Sequence, residues 1–165
     1  MTRPVINIDE LEYMEIAHGD RFQARLGAIS PRIGAQKLGY NLTVLPPGKR
    51  AFPRHNHHVN EEMFFILDGA GELRVGEESW PLRAGDVIAC PPGGPETAHQ
   101  IANTSESEDL RFLAVSSSMS PEIVDYPDSG KFGVREVTGR DENGMPSGFR
   151  FVGRIEDERD YWEGE

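Results

Sequence analysis

A single cysteine, Cys90, stands among 165 residues. A lone thiol closes no intramolecular disulfide and builds no thiolate zinc cluster, which fits a reducing compartment. No stretch approaches the roughly 18 consecutive apolar residues of a membrane helix. The opening MTRPVINIDELEYME carries charge where a signal peptide places its apolar run. The expectation is a cytoplasmic protein with no membrane role. Basic residues are scarce, 17 Lys and Arg against 28 Asp and Glu, for a net charge of −11. That field repels phosphate backbones, so nucleic-acid binding is not expected. A local basic pocket stays compatible with it, because net charge describes the whole surface rather than one cleft. Part of the acid lies in Glu156, Asp157, Glu158, Asp160, Glu163 and Glu165, read as a solvated tail.

Helical periodicity is also mostly missing. The 18 glycines and 12 prolines are spread along the chain, which points to many short strands and turns. Residues Arg3 to Gly34 read as an arm, with a possible strand from Arg21 to Ile29. Gln36 to Leu45 alternates, with Leu38, Tyr40, Leu42 and Val44 on one face, and stops at Pro46-Pro47-Gly48. Further strands are expected over Glu62–Leu67, Glu72–Val75, Ser79–Leu82, Val87–Cys90, His99–Asn103 and Leu110–Ser116, with turn residues between them. Such spacing indicates a sandwich, jelly roll or barrel. Ser120 to Gly148 reads as polar and turn-rich, and Phe149 to Arg154 as a strand packing outside the barrel. Trp80 and Phe112 are assigned to the core.

Chemistry concentrates in the middle. Gly48 is followed by His55, His57, Glu62 and Gly69. On a strand, His55 and His57 project to one face, about 7 Å apart. A carboxylate on the next strand can complete a cluster, and neutral imidazole with carboxylate suits a divalent first-row metal. Glu61 and Glu62 compete for the inward position, and the spacing to Gly69 favours Glu62. Phe64 and Ile66 then line the lumen, while Met63, Phe65 and Leu67 cover the outer face. His58 is out of phase and belongs at the rim; His18 is isolated. Downstream, Gly85, Pro91, Gly93, His99 and Asn103 form a second group, with His99 placed to return across the barrel as a fourth ligand. Asn103 is assigned to backbone hydrogen bonding and Cys90 to a buried, inert thiol. Gln36, Tyr40, Lys49, Arg50 and Arg54 are candidates to orient a substrate at the mouth.

These two groups resemble the paired motifs of the cupins. The first has one extra residue between its glycine and first histidine; the second has a longer insertion, Gly94-Pro95-Glu96-Thr97-Ala98, before His99. Tyr126-Pro127-Asp128-Ser129-Gly130-Lys131 is similar to a set of small bacterial cupins of unassigned function. The resemblance implies an all-β double-stranded β-helix, or jelly roll, over about 35–118, with an arm at 1–34 and an extension at 119–165 of one domain. It also implies one divalent transition metal (Fe, Mn, Zn, Ni or Co) held by His55, His57, Glu62 and His99. Four protein ligands leave one or two open positions on a five- or six-coordinate metal. A homodimer is expected as well. The expected partner is a small-molecule substrate or ligand. Three functions follow from this reading: a dioxygenase, placed first; a non-oxidative isomerase, epimerase or decarboxylase; and a non-catalytic binding or sensing module.

Overall fold

Prolines and positive-φ glycines cut the chain into short extended segments, and strands dominate. The computed structural model describes residues 3–140 and 146–165. Its strands are β1 (Tyr13–His18), β2 (Phe22–Ala28), β3 (Leu38–Leu45), β4 (Asn56–His57), β5 (Glu62–Asp68), β6 (Ala70–Val75) and β7 (Glu78–Arg83). They continue with β8 (Val87–Cys90), β9 (His99–Asn103), β10 (Leu110–Ser117), β11 (Glu122–Tyr126), β12 (Lys131–Arg140) and β13 (Pro146–Gly153). Helical geometry among the described residues is confined to short 3-10 turns, and no helix is long and apolar enough to cross a membrane.

Three antiparallel sheets form, ordered β1-β2-β3-β10-β5-β8, β7-β6-β9 and β13-β12-β11-β4. The fold is an all-β double-stranded β-helix. Period-two alternation puts Glu62, Phe64 and Ile66 on the inner face of β5, with Ile66 fully buried beside Leu45, Leu110 and Phe112. Each such side chain contributes about 1.5–3 kcal/mol of burial. The outer face of β3, β5 and β10 is covered by the N-terminal arm. There Leu11 and Ile29 close over Leu42, with Tyr40, Leu67 and Leu113 alongside. The arm is therefore part of the packing, and its hairpin β1–β2 extends the main sheet.

Three expectations are corrected. The segment read as polar and turn-rich contains β11 and most of the hairpin β12–β13, whose strands pair from Phe132↔Gly153 to Arg140↔Pro146. The Phe149–Arg154 strand belongs to that hairpin and lines the mouth of the central cavity instead of packing outside the barrel. The reading of Asp141 to Met145 lies outside the described residues. Trp80 is 43% exposed, unlike Phe112. It sits on β7, an edge strand on which only Leu82 is buried.

Candidate metal centre

The inner face of the barrel collects four side chains from two stretches of chain. His55 and His57 flank Asn56, whose amide donates to Gly93 O at 2.8 Å and ties the first motif to the second. Gly93 N in turn donates to His57 O. His55 and His99 pair through two backbone hydrogen bonds of 3.1 and 2.8 Å. The inserted residues before His99 fold into a 3-10 turn over Pro95–Thr97, so the longer gap is absorbed locally.

All three imidazoles converge on one oxygen. Glu62 Oε2 lies 3.0 Å from His99 Nε2, 3.5 Å from His57 Nε2 and 3.8 Å from His55 Nε2. One ligand atom each from His55, Glu62 and His99 falls within 4.8 Å of the others. The opposite nitrogens face outward to oxygen acceptors. His55 Nδ1 is 2.9 Å from Pro53 O, His99 Nδ1 is 3.4 Å from Thr97 O, and His57 Nδ1 is 3.4 Å from Glu122 Oε2. A proton held on Nδ1 leaves the Nε2 lone pair free for a cation, the arrangement typical of metal-ligating histidines.

Neither buried nitrogen of His57 makes a hydrogen bond. An unpaired buried polar atom is costly, and a divalent ion among these donors would satisfy it. His55, Glu62 and His99 fit such an ion, while His57, 3.5 Å from the same Glu62 oxygen, lies outside that 4.8 Å group. Glu61 is exposed, its backbone N–H donating to Ser117 Oγ. His58 turns away to Asp125 at 2.7 Å. Asn103 Nδ2 donates to the carbonyls of Leu45 and Glu108. None of Gln36, Tyr40, Lys49, Arg50 and Arg54 lines the cavity. Arg54 is buried and bonds Asp128 and Gly76 O, and Lys49 reaches Asp20 O.

Burial, then the neighbouring His99, pulls the His55 pKa down to about 4. Burial also pulls His57 down, but contact with Glu62 and the charges of Glu62 and Glu122 outweigh it and hold His57 above its ordinary value. For Glu62, burial opposes ionisation, yet the close contact of His57, the His99 hydrogen bond and the nearby histidine charges keep its carboxyl far below the usual range. Native metal-free protein thus holds His55 neutral, whereas the unfolded chain protonates it near pH 6.5. Stability from this group is complete above pH 6.5 and is lost as pH falls through 4. The loss is on the order of 2–3 kcal/mol. His57 works oppositely, its contribution being complete below its unfolded pKa and lost as pH rises through its raised one. Chemical denaturation of metal-free protein across this range should therefore show an acid-side loss that His55→Gln flattens. Identical acid limbs in the two proteins would contradict the assignment.

Cys90 pairs with Glu62 across β5 and β8 and is 3% exposed. Burial, helped by the Glu62 charge, pushes its thiol up to about 12. The thiolate is the reactive form. Iodoacetamide at pH 8 is expected to leave the native thiol unmodified and to label it fully in denaturant; rapid native labelling would refute this.

Above the cluster opens a cavity of about 740 Å³. Phe64, Ile101 and Phe112 supply apolar wall, and Asn41, Thr43 and Gln100 supply polar groups. The mouth is roofed by β12 and β13, which sequence reasoning did not assign to the site. The available signal was the period-two alternation of apolar residues in both segments, Phe132 and Val134 in one and Phe149 and Phe151 in the other, which marks two strands without saying which face turns to the cavity.

A family model described as a cupin domain matches residues 41–116. Residues 41–116 are a cupin domain. A sugar phosphate isomerase of the cupin superfamily from Silicibacter pomeroyi superposes with a TM-score of 0.75 at 22% identity, covering 97% of this chain and 98% of its own. A protein from Acidithiobacillus ferrooxidans, provisionally named a sugar phosphate isomerase, superposes with a TM-score of 0.79 at 23% identity, covering 96% of each chain. In sequence, an oxalate-binding protein of Thermotoga maritima is 38% identical over 71 residues, 43% of this chain and 54% of that one. The chain spans about half the length, or less, of the first of its curated relatives. Cupins bind small molecules and commonly a metal, and the His55–Glu62–His99 group is a possible site for one.

Proposed function

We propose that the chain is a metal-dependent enzyme that binds one divalent transition metal through His55, His57, Glu62 and His99. Its substrate is a small polar molecule bound in the cavity above them, turned over by non-oxidative isomerisation or decarboxylation. The observation that carries the reading is His57, buried with both ring nitrogens unbonded while three imidazoles aim at one carboxylate oxygen. When bound, the metal supplies Lewis-acid polarisation of a substrate oxygen. The protein's own residues do the rest. Phe64, Ile101 and Phe112 exclude water from one wall. Thr43 donates to Asn41 Oδ1 at 2.7 Å, which leaves the Asn41 amide N–H groups as donors to a substrate. Gln100 spends its amide on Phe52 O and keeps its carbonyl as an acceptor. The names of the two neighbours that match over nearly the whole chain support an isomerase, and that of the oxalate-binding relative supports carboxylate chemistry.

Chelator-stripped protein titrated with Mn(II) or Zn(II) should take up about one ion per chain, and His57→Ala and Glu62→Gln should abolish uptake. A wild-type protein that takes up no metal overturns the reading. Metal-loaded protein is then assayed under argon against aldose, aldose phosphate and oxalate panels. Turnover without oxygen supports the proposal. Turnover that requires Fe(II) and consumes oxygen replaces it with a dioxygenase, and saturable binding without product leaves a binding module.

A further inference from the structure

The roof of the cavity carries charge of the sign that is in the minority in this chain. In the four-stranded sheet, His57 pairs with Val124, Val124 with Gly133, and Gly133 with Val152. Directly paired residues share a face, and faces alternate along each strand. Arg135, two residues from Gly133, and Arg150, two from Val152, therefore lie on the face that His57 presents to the cluster. They are also direct cross-strand partners, and both line the cavity.

Like charges placed opposite each other on neighbouring strands are destabilising. Among the described residues neither arginine has a carboxylate within salt-bridge distance. The acid paired with Arg135 across β11 is Glu122. Its oxygens are taken up by the backbone N–H groups of His58, Val59, Asn60 and Ile123 and by the Asn60 amide. Glu136, the next residue on β12, pairs with Phe149 and also lines the cavity, but makes no salt bridge to either arginine. Two guanidinium groups thus line a cavity in a chain of net charge −11 with no salt bridge to any of the described residues.

We infer that Arg135 and Arg150 form a clamp for the anionic group, phosphate or carboxylate, of the substrate bound in this cavity. The inference rests on the proposed function for its use of the cavity as a substrate site. The planar guanidinium presents paired donors that match phosphate and carboxylate oxygens bidentately. Two of them from adjacent strands hold one end of a small molecule while its other end faces the histidine cluster. An anion between them also relieves their mutual repulsion, so ligand binding and ordering of the roof reinforce each other.

The test is calorimetric titration with inorganic phosphate, malonate, glucose 6-phosphate and uncharged glucose, on metal-free and on Mn(II)-treated protein. Metal-free wild type should bind at least one anionic probe. Arg135→Ala and Arg150→Ala should each weaken that binding at least about tenfold, and the double variant should remove it. Glucose should be insensitive to either change. Preference for phosphate over malonate, or the reverse, identifies the anionic group. The melting temperature of the double variant should be unchanged or higher, since a repulsive pair has been removed. Equal anion binding by wild type and double variant, or none by wild type, overturns the clamp. Mn(II) uptake is read in the same proteins. Arginine-dependent anion binding without metal uptake keeps the clamp and sinks the metal reading, whereas metal uptake with arginine-independent anion binding does the opposite.

Discussion

Glu122→Ala is expected to cost about 3–5 kcal/mol of stability, the scale of removing one partner from a buried charged network. The melting temperature should fall by roughly 10 °C or more in a domain of this size. Glu122 is 6% exposed and comes from β11, beyond the matched cupin segment. It accepts from the N–H groups of Asn60 and Ile123, both at 2.9 Å, of Val59 at 3.1 Å and of His58 at 3.2 Å, and from the Asn60 side chain. Alanine strands all of these donors. It also removes the oxygen 3.4 Å from His57 Nδ1, so Mn(II) affinity should fall about 10- to 100-fold, as for other residues that orient a metal-ligating histidine. Asp125→Ala is the control. Asp125 contacts the half-exposed His58 ring and the Asn56 amide, and its loss should cost about 1 kcal/mol. Equal effects of the two substitutions on stability and on metal affinity would sink the role given to Glu122.

Gly69→Ala should be the most damaging glycine substitution of the first motif, at about 3–5 kcal/mol. Gly69 has φ +85° between β5 and β6, a conformation that costs an L-residue about 1–2 kcal/mol. A Cβ there would also press into the backbone of Asp109 and lie 3.0 Å from Leu110 Cα, and backbone cannot swing aside as a side-chain tip can. Overpacking of that kind adds about 1–3 kcal/mol. Gly85→Ala separates the two contributions, because Gly85 has φ +94° but its Cβ would meet nothing within 4 Å. Urea denaturation of both variants should place Gly85→Ala about 2 kcal/mol above Gly69→Ala. Equal losses would show that conformation alone decides both sites.

What was legible in the sequence was what local spacing encodes. The i, i+2 relation of His55 and His57, and the inward phase of Glu62 with Phe64 and Ile66, follow from strand alternation, and the structure brings these side chains together with His99. The inserted Gly94–Ala98 stretch obscured the loop shape but left His99 facing the cluster. The rest depends on which distant strands pair. Glu122 reaches His57 because β11 pairs with β4, a contact of sequence separation too large for any motif. Arg54 looked like a mouth residue from its position before His55, yet its guanidinium turns inward to Asp128. No motif marks Arg135 and Arg150, and only the register of β12 with β13 sets them opposite each other. A strand period says which residues share a face, but only the tertiary pairing says what that face looks at.

That register has a further meaning for change in the protein. On β12 and β13 the positions next to the arginines are Glu136 and Phe149, which also pair with each other. A slip of the hairpin against the barrel by one residue exchanges the two faces. It would put Glu136 and Phe149 in place of Arg135 and Arg150 on the face shared with His57 while leaving every histidine where it is. Under the proposed clamp, ligand preference is written in parity, an odd or even count of residues in one hairpin, and a single insertion or deletion would invert it without touching the proposed metal ligands.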